Sequence, residues 1–221
     1  MFFILLGGSM DKEKNVIRYY VLCNKLKNVI RTGWKDWNVK RVRVESVAEH
    51  IYSTQMLAIA MYSEFEYELD IKKILYMLAV HELEEIIIGD LTMFQISKDE
   101  KRKKGIKAVN QVLGSMLKKD EIKSIIEEFE DRKTKEALFA YYCDKLECDL
   151  QCKLYDEEEC VNVKENDSIN DEKVRKMLNE DKTWSNMWLL FSQETYGYDE
   201  NFMKVSNYAI NNNINNLLIN D

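Results

Sequence analysis

An all-α fold is what this sequence predicts, and three observations carry the prediction. The 221-residue chain contains no proline, where average usage of about 5% would give roughly eleven, so nothing of that kind interrupts long helices. Apolar residues recur at the three-to-four-residue spacing of a helical face over most of the chain. No stretch alternates with period two, and no hairpin signature or internal repeat is present.

The elements follow in order. Asp11 to Val29 reads as a first helix, with Ile17, Tyr20, Val21, Leu26 and Val29 spread over two apolar faces. Arg31 to Arg43 is a basic, aromatic loop pivoting at Gly33. Ser46-Val-Ala-Glu49 is a capping-box pattern, in which Ser46 caps a helix and Glu49 reaches back to it. That helix runs from Val47 to Glu64, with Ala48, Ile51, Met56, Leu57, Ile59 and Ala60 expected to pack. Asp70 caps the next helix, Ile71 to about Ile88, and Gly89 is its natural stop. Ile106–Leu117, Asp120–Phe129 and Thr134–Leu154 are further helices, the last with Leu138, Tyr141, Tyr142, Leu146 and Leu150 on its apolar side. The acidic stretch Asp156–Asp171 is a surface loop, and Glu172–Thr195 and Asn201–Leu218 are C-terminal helices.

Composition bounds the function. A hydrophobic fraction of 46% and a charged fraction of 32% describe a soluble globular protein, and the length suits one domain spanning 1–221. Its core is expected over about 11–158 and a helical extension over about 172–218. Net charge −7 and a pI near 5.2 argue against a nucleic-acid polymer as ligand. Five cysteines without a CxxC pair suit free thiols and a cytoplasmic location. Cys143, Cys148 and Cys152 read as small buried apolar residues. Residues 1–9 are too short for a membrane span and lack a signal peptide's basic region. They read as a mis-start ahead of Met10 or a disordered leader.

The chemistry gathers in Leu78–Asp90. This apolar segment holds His81, one of two histidines, followed by Glu82, Glu84 and Glu85, with Asp90 closing the run. Buried imidazole and carboxylates are costly unless they are paired or bind something, and a metal cation is the simplest partner. His50 lies on the neighbouring helix, and Asp144 is the one acid deep in a later apolar pattern. Two imidazoles and two carboxylates suit one divalent transition ion (Co, Mn, Ni, Fe or Zn) better than Mg or Ca. Glu84 reads as an ordinary charged neighbour. The run Lys98–Lys107 reads as solvated helix, with a place near the entrance of the site as the alternative, and Trp184 and Trp188 as core or a dimer contact.

These residues resemble a family. His50, His81-Glu82 and Asp144 are similar to the H…HD…D pattern of HD-domain metal-dependent phosphohydrolases. Arg31-Thr-Gly-Trp34, Glu45-Ser-Val-Ala-Glu-His50, Val80-His-Glu-Leu-Glu-Glu85, Ile88-Gly-Asp90 and Asp144-Lys-Leu-Glu147 resemble the 5'-deoxynucleotidase branch, in order, over about residues 17–158. The resemblance implies His50, His81, Glu82 and Asp144 as metal ligands and Glu85 and Asp90 as catalytic acids or bases. It also implies Arg31 as the phosphate grip and Trp34 as a wall against the deoxyribose. A nucleotide monophosphate substrate and a homodimer follow from the same likeness.

Two positions depart from the pattern. Glu82 stands where the family has Asp, which moves the carboxylate by about 1.5 Å. Val44 stands where Pro is usual. The alternatives are an HD phosphohydrolase acting on another nucleotide or phosphate ester, and a non-catalytic nucleotide-binding protein. No membrane partner is expected.

Overall fold

The computed structural model describes residues 11–92, 95–163 and 183–218, with Glu172, Arg175, Lys176 and Leu178 between the last two segments. Every regular element among them is helical, and β pairing is limited to an isolated bridge between Ile30 and Ser46. The order is α1 (Lys12–Cys23), a 3-10 turn (Asn24–Asn28), α2 (Thr32–Asp36), α3 (Val47–Glu64) and α4 (Ile71–Val80). Then come α5 (Glu85–Ile88), α6 (Lys98–Leu113), α7 (Lys119–Asp131), α8 (Lys135–Glu157), α9 (Trp184–Tyr196), α10 (Glu200–Asn211) and a 3-10 turn (Asn215–Leu218).

Helix α8 is the axis on which α3, α4, α7, α9 and α10 pack. Its buried face carries Ala137, Ala140 and Cys143 before Leu146, and these small side chains let neighbouring helices come close. Met61, Ile74, Met77 and Leu78 fill the space against Phe139, Leu189 and Phe202. Each such side chain contributes roughly 1.5–3 kcal/mol on burial. Cys143 is fully buried among them, and Cys152 is fully buried in a second cluster with Tyr155 and Trp184, both as small apolar residues.

Helix α3 has the expected bounds, and both halves of the Ser46–Glu49 capping box form. Its inward face differs from the expectation. Val47, His50, Thr54, Ala58 and Met61 are buried, whereas Met56, Ile59 and Ala60 are exposed. Only one stripe of α3 meets α4 and α8, and the apolar residues between the two faces gave no way to choose it. Leu138 is likewise exposed on α8. The first helix stops at Cys23 and continues as a tight turn to Asn28. Instead of pivoting a loop, Gly33 sits within the single helical turn α2.

The largest departure is in the segment expected to run unbroken from Ile71 to Ile88. Helix α4 ends at Val80 and the chain tightens. Leu83 N–H donates to Val80 O, Glu85 N–H to Glu82 O and Ile87 N–H to Glu84 O, all three-residue closures. Gly89 then turns with φ 73°, a conformation that penalises any residue with a Cβ. Gly89→Ala is expected to lower stability by about 1–3 kcal/mol, read as a shift in the denaturant midpoint.

At the C-terminal end, Thr183 caps α9 and Asp199 caps α10. The Glu157 carboxylate accepts from the N–H groups of Ile214 and Asn215, tying the last turn to α8. Residues 164–171 of the expected acidic loop and much of the first part of the 172–195 helix lie outside the described residues. No helix among the described residues is long and apolar enough to cross a membrane.

Candidate metal centre and active site

Three elements deliver the histidines and acids to one point. The capping box starts α3 so that His50 falls in its first turn, with the His50 N–H on Ser46 O. Helix α8 brings Asp144 from the opposite side. The break after Val80 supplies His81 and Glu82 together. In a continuous helix Leu78 O would accept from residue 82; here it accepts instead from His81 Nδ1, at 2.8 Å. The ring is thereby turned back, and two consecutive side chains reach the same point.

One donor atom from each of His50, His81, Glu82 and Asp144 lies within 4.8 Å of the others. His50 Nε2 is 3.1 Å from Asp144 Oδ1 and 3.9 Å from Glu82 Oε1. His81 Nε2 is 3.6 Å from Glu82 Oε1 and 3.9 Å from Asp144 Oδ1. It is buried and has no hydrogen-bond partner, a costly state for a ring nitrogen. The Leu78 carbonyl can only accept, so the proton is on Nδ1 and the Nε2 lone pair points into the acid cluster. That orphaned lone pair between two carboxylates fits a divalent cation.

The surrounding charges support the same arrangement. Burial pushes the His81 pKa down, against the pull of Glu82 and Asp144. Burial and Arg31 oppose charge on His50, but Glu147, Cys148 and Asp144 outweigh them and raise its pKa well above the usual range. Glu147 Oε2 holds His50 Nδ1 at 2.6 Å, so a cation replacing the Nε2 proton leaves that bond intact. An acid behind a ligating imidazole in this way fixes its orientation and raises its basicity. Although burial raises them, Asp144 is held well below the carboxylate range chiefly by Lys145, and Glu82 is held low by His81 and Arg31.

Arg31 stands beside this cluster because the loop ends are zipped together. Arg31 N–H donates to Glu45 O and Val47 N–H to Val29 O. The Arg31 guanidinium lies 3.6 Å from Glu82 and 3.9 Å from Asp90, with Nη2 3.1 Å from Cys148 Sγ. Asp90 is placed differently from Glu85. Asp90 Oδ2 accepts the Thr32 N–H at 2.6 Å, and its carbonyl accepts the Thr32 hydroxyl at 2.6 Å. It therefore clamps the Arg31 segment.

Glu85 is 1% exposed and keeps Oε2 without a hydrogen-bond partner. Burial, then Glu82 and Asp90, push its pKa up to about 10, with Lys101 and Arg31 pulling the other way. Trp34 is 2% exposed, packed among Tyr155, Trp184 and Trp188, with its indole N–H on Glu45 Oε2 at 2.6 Å. It borders, with Arg31, Gly33, Cys148 and Trp188, a cavity of about 40 Å³. Trp184 and Trp188 are thus part of this aromatic cluster.

Sequence reasoning passed over four groups here. Glu147 closes the Asp144–Glu147 motif, and its signal is the three-residue spacing from Asp144, which puts both on one face of α8. Lys145 pairs with Asp144 at 2.8 Å. Lys101 points inward from the charged run on α6. Glu84, read as a plain charged neighbour, lies against Gly105 with Oε2 buried and unpartnered, its pKa pushed up to about 8 by burial and then Glu82. A cleft of about 640 Å³ opens from His81, Glu82 and Asp144 between α6, α7 and α8, with Lys101, Arg132 and Tyr141 in its walls.

Helical architecture and a mixed imidazole–carboxylate cluster together define a helical protein with a candidate metal centre. The chain belongs to the HD-domain family, whose family model matches residues 23–188. A 5'-deoxynucleotidase HDDC2 from Dictyostelium discoideum is 35% identical over 153 residues, covering 65% of this chain and 79% of that one. The Homo sapiens 5'-deoxynucleotidase HDDC2 is 31% identical over 148 residues, covering 65% and 70%. Among solved structures, a conserved hypothetical protein from Pyrococcus furiosus matches with TM-score 0.56 and 27% identity, over 74% of this chain and 97% of that one. A predicted metal-dependent phosphohydrolase from Magnetospirillum magnetotacticum shares the fold with TM-score 0.64 at 18% identity, over 90% and 91%.

Proposed function

We propose that this protein is a metal-dependent 5'-deoxynucleotidase, converting deoxyribonucleoside 5'-monophosphates and water into deoxyribonucleosides and phosphate. The observation that carries the reading is the convergence of His50, His81, Glu82 and Asp144 on one orphaned lone pair beside Glu85 and Arg31. The relatives named 5'-deoxynucleotidases support the substrate class.

His50, His81, Glu82 and Asp144 would hold one divalent transition ion (Co, Mn, Ni, Fe or Zn). When bound, it supplies positive charge to the phosphate and lowers the pKa of a water. Arg31 grips a phosphate oxygen with its planar fork, already oriented by Glu82 and Asp90. Water attacks phosphorus, and the bond from phosphorus to the 5'-oxygen breaks. Asp90 is engaged in holding Thr32 and Arg31, so Glu85, with its free Oε2, is the group that handles the protons of water and leaving oxygen. Trp34 lies buried behind Arg31, across a cavity of about 40 Å³, and its part in the site is to back that arginine. The cleft falls within the roughly 300–1,000 Å³ of small-molecule sites.

The free state of the five cysteines supports a reducing, cytoplasmic setting. A homodimer is the reading supported by the exposed Val16, Ile17, Tyr20 and Val21 of α1 and Tyr52, Met56 and Ile59 of α3.

Purified protein supplied with Mn or Co is expected to release phosphate from dAMP, dGMP and dCMP at least about tenfold faster than from AMP, GMP and CMP. Equal rates on the two sugars would move the reading to a phosphohydrolase of broader range. No release with any of the five metals would remove the enzyme reading.

A further inference from the structure

The charged run that opens α6 has one half-buried member. Lys101 sends Nζ to within 3.5 Å of Glu85 Oε1 and 3.1 Å of the Leu91 carbonyl. Its neighbours Lys98, Lys103 and Lys104 are exposed, and Lys104 pairs with Glu100 on the helix surface. Lys101 thus spans from α6 to both ends of the Glu85–Leu91 stretch. Three cations beside the centre each have a carboxylate: Arg31 has Glu82 and Asp90, Lys145 has Asp144, and Lys101 has Glu85.

Glu85 needs such a partner. It sits on the short α5, where four residues provide little rigidity, and one of its oxygens has no other hydrogen bond. Unpinned, the side chain could rotate away from the reacting groups, and a small misplacement of a proton-handling group is enough to slow a reaction severely. An ammonium on Oε1 fixes the carboxylate plane and leaves Oε2 free. It also offsets the negative potential that Glu82 and Asp90 impose on Glu85.

We propose that Lys101 is a positioning residue for the phosphate-release reaction. It fixes Glu85 through Oε1 and the loop start through Leu91, and it acts on the chemistry only through Glu85. The inference rests on the 5'-deoxynucleotidase reading and on Glu85 being its proton-handling group.

The test is a double-mutant cycle on the full-length protein with Mn, reading phosphate release from dAMP. Lys101→Met is expected to lower kcat at least about tenfold with KM changed less than about threefold, while Lys101→Arg recovers part of the loss. Adding Lys101→Met to Glu85→Gln should cause no further loss, because the residue acted on is already gone.

Additive losses, or an increase in KM with kcat retained, would overturn the proposal in favour of a direct Lys101–substrate contact. A kcat within about twofold of wild type in Lys101→Met would overturn it outright. Metal content and thermal midpoint of each variant separate a folding defect, in which case Lys101→Arg and its combination with Glu85→Gln complete the cycle. Wild type without turnover on any monophosphate would overturn the underlying reading, and this inference with it.

Discussion

Replacing His81 with alanine is expected to abolish stoichiometric metal binding and to lower phosphate release by roughly a thousandfold or more. Metal-ion catalysis contributes several kcal/mol of charge stabilisation, and each 1.36 kcal/mol is about tenfold in rate. Of the four proposed ligands, His81 is the one whose removal is cleanest. Its Nε2 has no hydrogen-bond partner in the protein, so little besides the ion loses a contact there. Its Nδ1 bond to Leu78 O is lost with the ring, and the ring also packs edge-on against Phe129 at 5.2 Å. Some loss of stability is therefore expected, and His81→Gln, which fills more of the space, provides the control. Elemental analysis after loading with Mn or Co, and the rise in thermal midpoint that the same metals give wild type, are the measurements. An alanine variant that retains a full metal equivalent would show that His81 is a packed core histidine and would remove the proposed centre.

The sequence displayed the helical fold plainly because its signals are local. Ser46, Asp70 and Thr134 each cap a helix as their residue type suggests, and the apolar spacing between them does not depend on distant residues. The four donors were also legible, since an imidazole or carboxylate inside an apolar run stands out. The break at His81–Glu84 was not. Residues 78–88 keep helical apolar spacing, and Gly89 is the first local stop signal. The break is a joint consequence of His81 taking the Leu78 carbonyl and of α6 packing against α5. Lys101 was hidden for a related reason, being one basic residue in a run of them that only packing singles out. Trp34 was hidden by distance, since its burial needs Tyr155, Trp184 and Trp188, more than a hundred positions away.

Glu82 is informative in the same way. By sequence it carries a methylene more than the family's Asp. In the structure its Oε1 still faces both His50 Nε2 and His81 Nε2, and Arg31 lies 3.6 Å from the same oxygen. The tight turn after Val80 carries residue 82, and from it the longer side chain reaches both imidazoles.

Exchanging Glu85 for glutamine should lower kcat by about 10²–10⁴, the usual contribution of a general acid or base. Shape is preserved, so KM is expected to stay within a few-fold and metal content to be unchanged. The variant tests the division of labour between Glu85 and Asp90, since Asp90 would still hold Thr32 and Arg31. It also carries a pH signature in the metal-free protein. The folded pKa of Glu85 is raised from 4.5 to about 10 by burial and then by Glu82 and Asp90. A carboxyl raised in this way supports the fold fully below pH 4.5 and loses that contribution as pH climbs toward 10, because the unfolded state gives up its proton first. Wild-type stability should therefore fall with pH across this window more steeply than that of Glu85→Gln, measured as denaturant midpoints at matched pH. Parallel pH curves would show that Glu85 titrates normally. A kcat within about threefold of wild type would pass the proton-handling role to Asp90, for which Asp90→Asn is then the decisive variant.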